Sequence, residues 1–106
     1  MKDKTIYRDA PDYCHSLFDL IESDNLLDEL EKSRQYTMQV FKQITEDKEH
    51  YSYEAGKWTT KEVIRHIIDC ERIYTYRALR FSRFDDTELS GFDENKYIER
   101  IKGIEL

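Results

Sequence analysis

Residues 56–72 constrain the fold more tightly than any other stretch of the chain. Thr59 followed three positions later by Glu62 has the form of a capping box. In that motif the threonine hydroxyl accepts from the amide of residue 62, and the glutamate reaches back to the amide of residue 59. Trp58 just before the cap and Val63 just after it are placed to form a hydrophobic staple. Gly56 is the turn residue upstream, where positive φ carries no steric cost. Beyond the cap, Val63, Ile67, Cys70, Tyr74 and Phe81 recur at helical spacing, with Ile64 and Ala78 widening the stripe. The chain must therefore accommodate one long amphipathic helix over 60–82. His66 falls at the edge of its stripe, beside Cys70, Ile73 and Arg77, and Asp69 lies further toward the flank.

The rest of the chain reads in the same way. Residues 1–10 are polar and expected to be extended. Pro11 suits a first helical position, and Tyr13, Leu17, Leu20 and Ile21 predict a short helix over 11–21. The polar break Glu22-Ser23-Asp24-Asn25 offers several caps for the next element. A second long helix is expected from about residue 25 to about 45, with Leu26, Leu27, Leu30, Thr37, Val40, Phe41 and Ile44 on its apolar side. The connection 46–58 is too long for a tight turn, and Tyr51, Tyr53 and Trp58 predict that it packs down on the bundle. After a loop over 83–92, Asp93 is placed to cap a last helix over 94–101, with Tyr97, Ile98 and Ile101 apolar.

Composition agrees with this reading and narrows the functional classes. Three glycines and one proline in 106 residues leave long stretches without a breaker, which favours few long helices over a many-stranded sheet. The length suits a single domain, residues 1–106. A net charge of -6 repels phosphate backbones, so no nucleic-acid partner is expected. No apolar run is long enough to span a bilayer and no signal-peptide core follows Met1, so a cytoplasmic protein without a membrane partner is expected. Cys14 and Cys70 lack CxxC spacing and read as reduced core residues.

His66 is the leading candidate for chemistry. One reading is a partly buried helix histidine bonded to a carbonyl or carboxylate. The other is a metal ligand, with Asp69 one turn on in support; a metal site needs three or four convergent ligands, and this helix brings one histidine. Cys70, at i+4 from His66, faces the same way. His15 and His50 read as packing or exposed residues. Arg72, Arg77, Arg80 and Arg83 are expected to pair with carboxylates or loop carbonyls, with anion binding as the alternative. No HExxH, GxSxG or phosphate-cradling glycine loop occurs.

Residues 53–63 and 66–72, continued by Tyr76-Arg77-Ala78-Leu79-Arg80-Phe81-Ser82-Arg83 and Gly91-Phe92-Asp93, resemble the DinB-like family (the DinB/YfiT superfamily). The resemblance covers residues 11–100. It implies an all-α four-helix bundle and a divalent metal, zinc or nickel, held by three histidines. One of these corresponds to His66; the other two form a HxxxH pair on a last long helix. It also implies hydrolase or thiol-dependent transferase chemistry on a small-molecule substrate. This sequence reaches Leu106 without an HxxxH, so it is expected to be an incomplete DinB-like bundle, truncated at its C-terminus, with an incomplete metal site. Two long amphipathic helices, a short N-terminal helix and a C-terminal helix do not close a four-walled core. The expected remedy is self-association, as a homodimer, and the alternative function is that of a non-catalytic self-associating module.

Overall fold

The computed structural model describes residues 5–102 and 104. They are helical, and among them there is no strand. The all-α class expected from the breaker-poor sequence is the class observed. The chain forms two compact units, Met1–Ile44 and Thr45–Leu106.

The first unit holds α1 (Thr5–Asp9), a 3-10 turn (Asp12–Cys14), α2 (His15–Phe18) and α3 (Leu26–Lys42). Two expectations are corrected here. Residues 5–9 are helical rather than extended; the rest of the 1–10 stretch expected to be extended lies partly outside the described residues. The reason lies in Tyr7, whose ring meets His15 at 5.3 Å and Phe18 at 5.4 Å, edge to face, while its hydroxyl donates to Asp19 Oδ1 at 2.8 Å. His15 Nε2 in turn lies 2.7 Å from the Tyr7 carbonyl oxygen. His15 is thus a packing histidine, as expected. Pro11 does not begin a helix: its ψ of 150 keeps it extended, and it precedes the 3-10 turn instead. The helix expected over 11–21 is consequently short, and turn bonds from Leu20 to Leu17 and from Ile21 to Phe18 finish the segment.

The start of α3 follows the sequence closely. The Asn25 side chain accepts from the Asp28 amide at 3.0 Å, satisfying one of the free donors of the first turn. Ser23 donates through both its amide and its hydroxyl to Glu29 Oε1 at 3.0 Å. Arg34 grips Glu31 with two bonds, at 2.9 and 2.6 Å. Leu26, Leu27 and Leu30 stand exposed.

The second unit is built on α4 (Thr60–Ser82) and α5 (Glu94–Ile101), preceded by a 3-10 turn at Glu46–Lys48. Both capping-box bonds are present: Thr59 Oγ1 accepts from the Glu62 amide at 3.2 Å, and Glu62 Oε1 accepts from the Thr59 amide at 2.9 Å. The preceding loop completes the cap. The amides of Thr60 and Lys61 donate to the carbonyls of Tyr51 and Glu49, each at 2.9 Å. Every free donor of the first turn of α4 is therefore used. Gly56 has φ 83 and forms the turn the sequence required.

The far end of α4 departs from the usual chemistry. The amide of Phe84 donates to the Phe81 carbonyl and that of Asp85 to the Arg80 carbonyl, both at 3.1 Å. This pair of bonds is a Schellman motif, whose left-handed position glycine normally fills. Here Phe84 fills it, with φ 54 and 95 % of its surface exposed.

Asp93 caps α5 by accepting from the amides of Asn95 and Lys96 at 3.0 and 3.2 Å. The helix packs on α4 and places Ile98, 1 % exposed, as the one buried residue among those described. The cysteines expected in the core are free and only half-buried. Tyr51 and Tyr53, expected to pack down, are exposed, because Trp58 alone of the three loop aromatics turns onto α4.

Candidate functional site

The faces of α4 are used in an order that its hydropathy does not suggest. At about 100° per residue, Glu62, His66, Asp69, Ile73, Arg77 and Arg80 share one side of the helix, and all six are half-buried. The apolar stripe lies about 90° away; its members Val63, Ile67, Tyr74, Ala78 and Phe81 are exposed, while Ile64 and Cys70 are half-buried. The covered side owes its cover to polar anchors. Arg77 donates to the Ser90 carbonyl at 3.2 Å and lies over the rings of Tyr74 and Phe92. Arg80 donates to the Thr87 carbonyl at 2.6 Å and to the Tyr76 hydroxyl at 2.9 Å. Its Nε also lies 2.6 Å from Asp85 Oδ2, although without the alignment of a hydrogen bond. Bonds from Thr87, and then the charge of Arg80, hold the Asp85 carboxyl below its ordinary range. These arginines tie the 83–92 loop to the helix, which is the carbonyl-and-carboxylate role expected of them.

His66 sits in the middle of this side. The Trp58 ring tilts over its imidazole at 5.1 Å and 53°. Cys70 Sγ lies 3.5 Å from Nε2 and 3.8 Å from Nδ1. Because the two ring nitrogens point in diverging directions, an atom nearly equidistant from both lies on the axis of neither. The group against His66 is therefore Cys70. Asp69 is half-buried on the same side and has no hydrogen bond to His66 among the described residues. Burial pushes the Cys70 thiol up from its ordinary value, and the charges of Asp69, Glu94 and Glu71 push it further. A thiol held protonated is a poor nucleophile.

The described residues around His66 do not complete a metal site. A separation of 3.5 Å is close to the ~3.6 Å between a nitrogen and a sulfur donor on one tetrahedral ion. Such an ion still needs a third and a fourth ligand. Among the described residues no group of three or more His, Cys, Asp or Glu side chains is arranged to hold one. His50, the remaining histidine of this unit, lines a separate recess beside the α4 N-terminus.

The sequence reading missed two features of this unit. One is the left-handed Phe84, for which no local signal exists. The other is a recess of about 520 Å³ lined by Tyr51, Tyr53, Trp58 and Val63 together with Lys57 and Asn95. The density of aromatics over 51–58 was its only trace in the sequence. Trp58 and Val63, expected as a staple, both line this recess.

Comparison with known families finds a match, and it spans the capped helix. The family model of the DinB superfamily matches residues 29–102, which is 74 of the 106 residues. The chain belongs to the DinB superfamily. No curated protein and no solved structure matches it. The superfamily is generally associated with metal; among the described residues the donors around His66 do not by themselves make a group that could hold one. Among the described residues, no helix of this DinB protein is long and apolar enough to cross a membrane.

Proposed function

We propose that this DinB-superfamily chain is a helical module that pairs with a second copy of itself and does not carry out metal-dependent hydrolase or thiol-transferase chemistry alone. The observation that carries this reading is the exposed stripe of α4. Val63, Ile67, Tyr74 and Phe81 are 42, 38, 58 and 66 % exposed along about five turns of one helix. Aromatic side chains bury ~150–250 Å² each and aliphatic ones somewhat less, so the stripe presents roughly 400 Å² of apolar surface. That is within the ~300–600 Å² of the largest patch on a typical monomer, a size that is often functional, and it is about half of the ~800 Å² per partner of a stable interface. A copy of the same helix is the natural occupant, because a self-complementary stripe buries itself about a two-fold axis.

Sedimentation equilibrium tests the pairing. The expected mass is about 26 kDa, twice the 12.9 kDa of the chain, and Ile67→Lys should return it to one chain while the helical circular dichroism is retained. A well-folded monomer at high concentration sinks the proposal.

The family's metal-dependent activity remains the second reading, favoured by the 3.5 Å His66–Cys70 spacing. It requires donors beyond those described. Zinc and nickel analysis of the purified protein separates the readings: stoichiometric metal that is lost in His66→Ala would support the second.

A further inference from the structure

A basic recess of about 490 Å³ opens beside the start of α4, and its charged lining is unexpected in a chain of net charge -6. Lys57, Lys61, Arg65, Lys102 and His50 line it, against a single carboxylate, Glu62, which is already engaged by the Thr59 amide. Carboxylates outnumber lysines and arginines 23 to 17 in the sequence, so ordinary pairing would leave few cations over. Lys61 meets Glu49 at 4.0 Å and Lys102 meets Glu99 at 3.7 Å. Lys57 and Arg65 have no ion pair among the described residues. Arg65 is the telling case. It has Glu62 at i-3 and Asp69 at i+4, the two positions from which a helical arginine normally recruits a partner. It pairs with neither, and its half-buried side chain lines the recess instead. The backbone amides of the helix start are consumed by the cap, so the attraction for an anion comes from side chains alone.

The recess does not stand by itself. Gly56 and Lys57 line both it and the aromatic recess of Tyr51, Tyr53 and Trp58. We propose that the two form one binding site for a small aromatic anion, with the acidic group among Lys57, Lys61 and Arg65 and the flat ring against Trp58 and the two tyrosines. A guanidinium with flanking ammonium groups suits a phosphate or carboxylate through charge-assisted hydrogen bonds. Exposed aromatic faces take a planar ring by offset stacking. A cationic ring is disfavoured by Lys57 at the junction.

Trp58 is the only tryptophan in the chain and reports on the site directly. The full chain is titrated at low ionic strength with phenyl phosphate, phthalate and inorganic phosphate, following tryptophan fluorescence and the heat of binding. Phenyl phosphate, phthalate or both should bind and change the fluorescence; their ratio tells phosphate from carboxylate recognition. Arg65→Gln should weaken binding by about tenfold or more, the loss of one charge-assisted contact. Arg65→Lys should retain much of it, and Arg83→Gln at the far end of α4 should change nothing. Binding of neither aromatic anion in the millimolar range overturns the proposal. So does binding that Arg65→Gln leaves intact in a protein with unchanged circular dichroism, and so does inorganic phosphate binding as tightly as phenyl phosphate.

Discussion

Phe84 offers the sharpest test of the backbone reading. An L-residue with a Cβ in the left-handed region costs roughly 1–2 kcal/mol. The Schellman motif at the end of α4 imposes that conformation at φ 54, while the side chain, 95 % exposed, recovers almost nothing by packing. Phe84→Gly removes the steric cost. It gives back ~0.5–1 kcal/mol because glycine has more freedom to lose on folding. The net expectation is stabilisation by about 0.5–1 kcal/mol. With a urea dependence of ~1–3 kcal/mol/M, the midpoint should rise by a few tenths of a molar. Trp58 fluorescence is the natural probe, since the tryptophan lies in the same unit as Phe84. All variants are compared at one protein concentration, so that self-association does not shift the midpoint by mass action. Phe84→Ala separates the two contributions: it keeps the Cβ and removes the ring, and its midpoint should stay near that of the parent. If Phe84→Gly fails to stabilise, the left-handed assignment is wrong. If Phe84→Ala destabilises by more than about 1 kcal/mol, a size typical of lost packing rather than of a surface change, the ring is buried in the working form of the protein.

Three further outcomes follow from the geometry. Thr59→Ala removes one bond of the capping box and should cost about 1 kcal/mol, read as a lower midpoint in the same urea titration, whereas Thr59→Ser should be nearly neutral. Glu31, bonded by Arg34 and then by Gln35, has its carboxyl lowered from 4.5 to about 2. Because the folded value lies below the unfolded one, the stabilisation is full above pH 4.5 and lost as the pH falls toward 2; a side-chain carbon NMR titration giving a Glu31 midpoint near 4.5 would refute the pairing. Cys70, its thiol raised by burial and neighbouring carboxylates, should alkylate with iodoacetamide more slowly than free glutathione at pH 8. Faster modification than glutathione would mean that His66 activates it.

What could be read from the residues alone were the features set by neighbours three or four positions apart. The capping box at Thr59 and Glu62, the caps at Asn25 and Asp93 and the runs of α4 and α5 are closed by bonds within one turn, so short-range pattern is enough to specify them. His66 was legible in the same way as a residue at the edge of a stripe, and the family followed from the stretch around it. Tertiary structure decided the rest. The choice of covered face on α4 went to the side where Arg77 and Arg80 find loop carbonyls, and not to the most apolar side, because those bonds depend on where residues 87 and 90 arrive in space. Tyr7 draws residues 5–9 into a helix through contacts with residues 15, 18 and 19, which no window of local propensity contains. Phe84 takes a glycine's conformation because the chain must turn there, whatever residue stands at that point. The donors that a metal would need are likewise a matter of convergence in space, and among the described residues the fold brings to His66 a tryptophan ring and the Cys70 thiol.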